Sequence, residues 1–395
     1  MSAGFTPTEI ARLRAMTPGT SHRVHLNNAG AALMTRGVVD AVIDHLNLET
    51  QIGGYEAKAQ ANDRIEAVYG SVARLLSAAP DEIALAENAT VAWQWAFYAL
   101  RFQPGDRILT TAAEYAANYL AYLQVAKRTG AVIDVIPDNG DGQLDPQALA
   151  AMIDERVRLI AITWVPTNGG LVNPAAEVGR IANAHGIPYL LDACQAVGQM
   201  PVDVTELGCD MLAATGRKFL RGPRGTGFLY IRQTLLEQTE PAMIDMFGAT
   251  WAGGNQYRLR DDARRFETWE SNYAARLGLG VAIEEALAIG MPRIETRVKA
   301  LAADLRAMLG KIDGVTVHDL GRDPAAIVSF TLAGTTSAAV TGHLANLGIN
   351  VSVSAPTSTP VDGARRHLPD LVRASLRIPT IPAVHSDLKP AIIPR

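Results

Sequence analysis

Thr215-Gly216-Arg217-Lys218-Phe219-Leu220-Arg221-Gly222-Pro223-Arg224-Gly225-Thr226-Gly227 places one lysine between two apolar runs, Asp210 to Ala214 before it and Phe228 to Ile231 after it. Short apolar runs bounded by glycines read as buried strands. A lysine at the mouth of such a pair can leave bulk water and meet a carbonyl compound. Desolvation disfavours an ammonium, and the neutral amine is the form that condenses with a carbonyl. The glycines permit tight turns and close backbone approach. By itself, a lysine beside Gly and Pro is more often a solvated loop residue, so the reading needs a partner.

The partner lies upstream. Leu190-Leu191-Asp192-Ala193-Cys194-Gln195 ends the apolar run Ile187 to Leu191 with a carboxylate. In an open α/β sheet, ligands sit beyond the carboxyl ends of the strands. An Asp there, with a Lys after the next strand, is what pyridoxal 5'-phosphate requires. The lysine, Lys218, holds the aldehyde covalently, and Asp192 keeps the pyridine nitrogen protonated so that the ring accepts electrons.

At these residues the chain resembles fold-type-I pyridoxal-phosphate enzymes of the class V aminotransferase and cysteine desulfurase superfamily. The resemblance runs from Leu26-Asn27-Asn28-Ala29-Gly30 to Arg373-Ala374-Ser375. The Asp192-Ala193-Cys194-Gln195, Thr215-Gly216-Arg217-Lys218 and Gly222-Pro223-Arg224-Gly225 motifs are most similar to those of hercynylcysteine sulfoxide lyases. The resemblance implies an aspartate aminotransferase-like fold. It also implies cofactor contacts from Ala89 and Thr90 at a helix start, Tyr115 against the ring, Gln195 at the phenolic oxygen, and Thr215 and Arg217 at the phosphate. Thr250 would reach the phosphate of a neighbouring subunit, which implies a homodimer. Arg373 would fork onto the substrate's α-carboxylate, with Asn28 and Thr167 lining the substrate.

Local readings stand beside these. Free N–H groups at a helix start favour phosphate, but Asn88 or Thr90 would equally serve as an ordinary cap. Trp93, Trp95, Phe97 and Tyr98 read as core packing. The run Arg264 to Glu270 reads equally as a solvated linker or as part of a site. Phe247 to Gly254 reads as polar and flexible. Gly222-x-x-Gly225-x-Gly227 precedes a strand, so it is no dinucleotide fingerprint. His22 and His25 read as surface residues, and no histidine spacing suits a metal.

The chain departs from the desulfurases in four places. Tyr115 stands where they carry a histidine, and Thr167 where they carry an asparagine. No cysteine follows Cys209, and Ser352 and Ser354 occupy the region of their sulfur-accepting cysteine. Beyond Ser375 the usual Tyr-Asn-Thr segment is replaced by a Pro-rich stretch that cannot form a long helix. The favoured chemistry is therefore C–S β-elimination from a cysteine S-conjugate or sulfoxide. Class V transamination is the alternative, amino-acid epimerisation a third, and a non-catalytic binding protein on the same fold the reading from another class.

Length and composition bound the rest. The chain has 395 residues, 36 basic against 40 acidic, with a net charge of −4. No basic patch argues for nucleic acid. Two cysteines make no disulfide framework and suit a reducing cytoplasm. No signal peptide and no run of membrane-spanning length is visible. Strand and helix patterns alternate from Ile83 to Ile231, which predicts an α/β fold with a mainly parallel sheet flanked by helices. The expected division is a large cofactor-binding domain over 20–265 and a small α/β domain over 1–19 and 266–395.

Overall fold

The computed structural model describes residues 4–378. The Pro-rich stretch beyond Ile378 lies outside the described residues. A short strand, β1 (Val24–His25), precedes the seven strands of the main sheet. These are β2 (Ile83–Ala86), β3 (Arg107–Thr111), β4 (Val132–Ile136), β5 (Val157–Thr163), β6 (Tyr189–Asp192), β7 (Met211–Thr215) and β8 (Gly227–Ile231). Their order is β2-β8-β7-β6-β5-β3-β4. All neighbours are parallel except β8, which runs against both β2 and β7. The α/β fold with a mainly parallel sheet is as expected.

The central strands are near-continuous apolar runs because helices cover both faces. Alternate residues therefore enter opposite cores. Leu191, Leu212 and Phe228 join one apolar cluster; Leu190, Met211, Ala213 and Leu229 join the other. Trp93, Phe97 and Tyr122 fill the second cluster, with the Trp93 and Phe97 rings stacked at 4.8 Å. Strand β4 is an edge, so it is half-buried, and its Asp134 pairs with Arg107 at 2.6 Å.

Phe247 to Gly254 is not an irregular loop. It forms an antiparallel hairpin of β9 (Ala249–Gly253) and β10 (Gln256–Leu259). The charged run Arg264 to Glu270 is not a solvated linker throughout. Arg265 and Glu267 are buried, and Glu267 pairs with Arg276 at 2.8 Å while accepting from the Tyr69 hydroxyl and the Leu85 N–H. Burial with these partners makes it a clamp between the helices Asn62–Leu76 and Tyr273–Ile289, which pack together.

The second sheet is antiparallel: β11 (Val315–Val317), β12 (Ile327–Leu332), β14 (Ser352–Ser354) and β15 (Leu371–Ser375), in the order β11-β12-β15-β14. The extended segment 349–354 is not one strand but is split at Val351. Its first half, β13 (Ile349–Asn350), pairs in parallel with β1, and its second half pairs with β15. Asn27 also makes an isolated bridge to Ser375, so residues 24–27 run from the small β1–β13 sheet to the end of β15. That pairing removes His25 from the surface. Its Nε2 meets Ala31 O at 2.9 Å, Asn350 reaches its Nδ1 at 3.1 Å, and burial lowers its pKa.

Candidate active site

The strand registers line up the carboxyl edge of the main sheet. Thr163 lies opposite Asp192, Asp192 opposite Ala213, and Thr215 opposite Gly227, which also faces Ala86. Lys218 follows directly in a closed turn. Gly216 N–H donates to Thr226 O at 3.0 Å, Gly222 N–H to Gly216 O at 2.8 Å, and Arg221 N–H to Lys218 O at 2.9 Å. Arg221 sits at φ +66, a conformation uncommon outside glycine. Its guanidinium holds it there by donating to Leu33 O and to the Thr17 hydroxyl. The neighbouring turn comes close because Gly198 has no side chain: a Cβ there would overlap the Phe219 and Leu220 backbone.

Lys218 is half-buried, and its cation acts on the nearby Cys194 thiol. Burial pushes that thiol up to about 11, against the opposing pull of the Lys218 and Arg217 cations. Asp192 is 6% exposed. Its Oδ1 accepts from Cys194 N–H at 2.9 Å and its Oδ2 from Asn118 Nδ2 at 2.9 Å.

At the other end of the edge, the helix Ala89–Tyr98 points its N-terminus at the start of β8. Asn88 caps it, accepting from Val91 N–H at 3.0 Å. Ala89 and Thr90 carry first-turn N–H groups that the helix itself cannot satisfy. A Cβ on Gly227 would stand 2.6 Å from Asn88 C and 2.9 Å from Ala89 N, so this cradle requires glycine. Thr215 is buried and donates to Thr226 O at 3.0 Å. Arg217 is half-buried and donates to Gly30 O.

The side facing the second sheet holds the remaining residues. Arg373, on β15, is 9% exposed and donates to the Thr167 hydroxyl, to Thr167 O at 3.2 Å and to Ser352 Oγ at 3.2 Å. Burial and the nearby Arg217 cation draw it down to about 10, with Tyr115 opposing. Gln195 donates to Ala29 O at 3.3 Å and Thr167 Oγ1 at 3.4 Å. Tyr115 is 38% exposed, and its hydroxyl pKa is raised first by partial burial and then by Cys194 and Asp192. Asn28 commits its amide to Ser375 O at 2.7 Å, holding the 27–30 loop against β15. Thr250 stands exposed on β9 and joins none of the hydrogen bonds of this cluster.

Ten of the twelve residues named from the sequence thus line one edge of the main sheet or the loops and helix start over it, and an eleventh, Arg373, reaches them from β15 of the second sheet. What the sequence reading passed over is Glu114 with Asn118 beneath Asp192, and the nearness of Cys194 to Lys218. The available signal was a carboxylate three residues beyond a strand end followed four residues later by Asn.

These residues fit pyridoxal phosphate. The Gln195 Oε1 atom is buried without a hydrogen-bonding partner, an orphan of the kind a ligand satisfies. The Gly227 cradle beside free helix N–H groups suits a phosphate, and Asp192, with only donors around it, suits a protonated ring nitrogen. The family profile described as class-V aminotransferase matches residues 24–381. The chain belongs to the class-V aminotransferase family. Class-V enzymes use pyridoxal phosphate, and this class-V chain is an enzyme of that kind. It is 32% identical over 387 residues to a cysteine desulfurase of Yersinia pestis, covering 93% of this chain and 94% of that one. It is 30% identical over 323 residues to a probable cysteine desulfurase of Methanothermobacter thermautotrophicus, covering 81% and 80%. Among solved structures it is similar to a cysteine desulfurase of Escherichia coli, with TM-score 0.88, 25% identity and 99% and 97% coverage. Among the described residues, no helix is long and apolar enough to cross a membrane.

Proposed function

We propose that this class-V enzyme is a C–S β-lyase that acts on a cysteine S-conjugate or its sulfoxide. The observation that carries the reading is the state of its thiols. The region that holds the sulfur-accepting cysteine in desulfurases has Ser352 and Ser354 instead, with Ser352 turned to Arg373 and Ser354 donating to Asn168 at 2.6 Å. Cys209 is fully buried, and Cys194 is a neutral thiol. A thiol held in its protonated form is a poor sulfur acceptor. An elimination that releases the sulfur group to solvent needs no such acceptor. The naming of 30–32% identical relatives as cysteine desulfurases supports the same bond being cleaved.

Pyridoxal phosphate, when bound, supplies an aldehyde that condenses with amines and a ring that withdraws electrons from the substrate's α-carbon. Lys218 would anchor it and would take the substrate's α-proton as general base. Asp192 would partner its ring nitrogen and Tyr115 its ring. Ala89, Thr90, Thr215 and Arg217 would hold its phosphate, and Gln195 its phenolic oxygen. Arg373 binds the substrate carboxylate, with Thr167 and Asn28 beside it. The Cβ–S electrons leave with the sulfur group, and water completes the conversion to pyruvate and ammonia. Thr250 is assigned to the phosphate of a second subunit, which makes the unit a homodimer. The division into a large domain, 20–265, and a small domain formed by 1–19 and 266–395 is part of the same proposal.

The test is release of pyruvate and ammonia from a panel of cysteine S-conjugates and sulfoxides, with added cofactor and no keto-acid acceptor. Sustained turnover that disappears in Lys218→Ala supports the lyase. A single half-reaction that ends with the cofactor in its amine form overturns it in favour of transamination.

A further inference from the structure

Beneath Asp192 lies a second carboxyl group that the proposed reaction does not use. Glu114 is fully buried, three residues beyond the end of β3. Its Oε1 accepts from Tyr115 N–H at 2.8 Å, from Asn118 Nδ2 at 2.9 Å and from the Thr163 hydroxyl. Its Oε2 accepts from the Thr110 hydroxyl at 3.0 Å, with the Tyr122 hydroxyl at 3.5 Å. Asn118 has two amide hydrogens, and they go to two carboxyl groups: one to Glu114 and one to Asp192.

We propose that Glu114 is a positioning residue for Asp192, acting through the Asn118 carboxamide to fix the carboxylate that meets the cofactor's ring nitrogen. The donor inventory separates the two carboxyls. Both Asp192 oxygens face N–H groups, which can only donate, so Asp192 is the group held as an anion. Glu114 Oε1 also faces two N–H groups. Its Oε2, however, faces two hydroxyls, and these can turn to accept. A proton on Oε2 therefore leaves every bond of the network intact. The titratable groups facing Glu114 are Asp192, from the end of β6, and Tyr122, on the helix Ala116–Thr129 that follows it. Thr110 from β3 and Thr163 from β5 are neutral. Burial, opposed by the Thr163 bond and assisted by Asp192, pushes Glu114 up to about 7. Loss of that proton near neutrality would place a second buried negative charge beside Asp192 and alter its contact with the ring.

The inference rests on pyridoxal phosphate being the ligand of this site, and the experiment separates the two. The native chain and the variants Glu114→Gln, Glu114→Ala, Asn118→Ala and Glu114→Ala/Asn118→Ala are loaded with pyridoxal phosphate. Its Kd and the pH titration of its visible absorbance are then measured. Glu114→Ala and Asn118→Ala should each weaken binding about tenfold, the scale on which residues that support a ligating group act. The double variant should be no worse than the weaker single one, because both break one relay. Glu114→Gln should keep Kd within about twofold, since the amide can retain the same bonds. It should also lose an absorbance step that the native holoenzyme shows near pH 7. Additive Kd effects, unchanged Kd in Glu114→Ala, or a native-like step in Glu114→Gln each overturn the positioning role. If Glu114→Ala does not fold, the Glu114→Gln titration decides alone. A native chain that binds no pyridoxal phosphate overturns the cofactor reading, and this inference with it.

Discussion

At the scale of single residues, the site sets three cations, Lys218, Arg217 and Arg373, around Asp192 and the Cys194 thiol. Lys218 comes from the turn after β7 of the main sheet and Arg373 from β15 of the second, where it donates to the Thr167 hydroxyl. Lys218→Ala is expected to lower kcat by about a thousandfold, the contribution of a positioned general base, measured by pyruvate release. Arg373→Ala should raise KM about thirtyfold for substrates with an α-carboxylate, the scale of a lost charge-assisted hydrogen bond. It should have little effect on a substrate amide. Cys194→Ala is expected to keep turnover within about threefold, because a thiol pushed up to about 11 is neutral and carries no sulfur. A persulfide trapped on Cys194 during turnover would contradict this. Lys218 and Asp192 were legible in the sequence because each follows an apolar run and carries a type of side chain that such runs exclude. Glu114 was not, because it stands three residues beyond the end of β3, in an irregular segment where a carboxylate reads as surface until its burial is known.

At the scale of elements, the site is made by strand ends converging on one helix N-terminus. The close approach at Gly227 sets how far the helix Ala89–Tyr98 stands from β8. Gly227→Ala should push that helix away, lower stability by about 1–3 kcal/mol as overpacking does, and weaken the cofactor at least tenfold by equilibrium titration. Asn88→Ala gives the contrasting result. It removes the cap on Val91 N–H and should cost about 1 kcal/mol of stability, while changing cofactor Kd by less than threefold. If both variants lose cofactor equally, the phosphate is held by the cap itself and not by the cradle. The helices and parallel strands were readable from periodicity. The split of 349–354 and the hairpin at β9–β10 were not. Their reasons are distant partners: β1 for one half of the strand, β15 for the other, and β10 for the hairpin.

At the scale of the molecule, charge burial couples folding to pH. The Glu114 pKa is pushed up to about 7 in the folded chain, against its usual value of 4.5. Between these values the folded state keeps a proton that the unfolded state releases. Stability from this group is present below about pH 4.5 and is lost as pH rises toward 7, by up to about 3 kcal/mol. Glu114→Gln should flatten that part of the cofactor-free chain's Tm profile. A parallel, merely offset profile would show that Glu114 does not hold the proton. The exposed apolar side chains also point to assembly. Met243, Met246 and Trp251 are 85%, 75% and 76% exposed on and before the hairpin that carries Thr250. If the homodimer proposal is right, Trp251→Asp should shift sedimentation from dimer toward monomer and speed cofactor loss. An unchanged dimer would place the interface elsewhere.

The sequence by itself determined the alternation of strands and helices from Ile83 to Ile231, the α/β class and the family, and it singled out Lys218 and Asp192 as candidates. Those features rest on local periodicity and on rare side chains at the ends of apolar runs, and both are properties of adjacent residues. Only the tertiary structure decided that Glu114, Asn118 and Asp192 form one hydrogen-bonded unit, that Glu267 is a buried clamp, and that Ser352 serves Arg373. Each of those depends on contacts between residues tens to hundreds of positions apart. Burial by such distant neighbours turns an ordinary carboxylate or hydroxyl into a tuned one, and no local pattern records it.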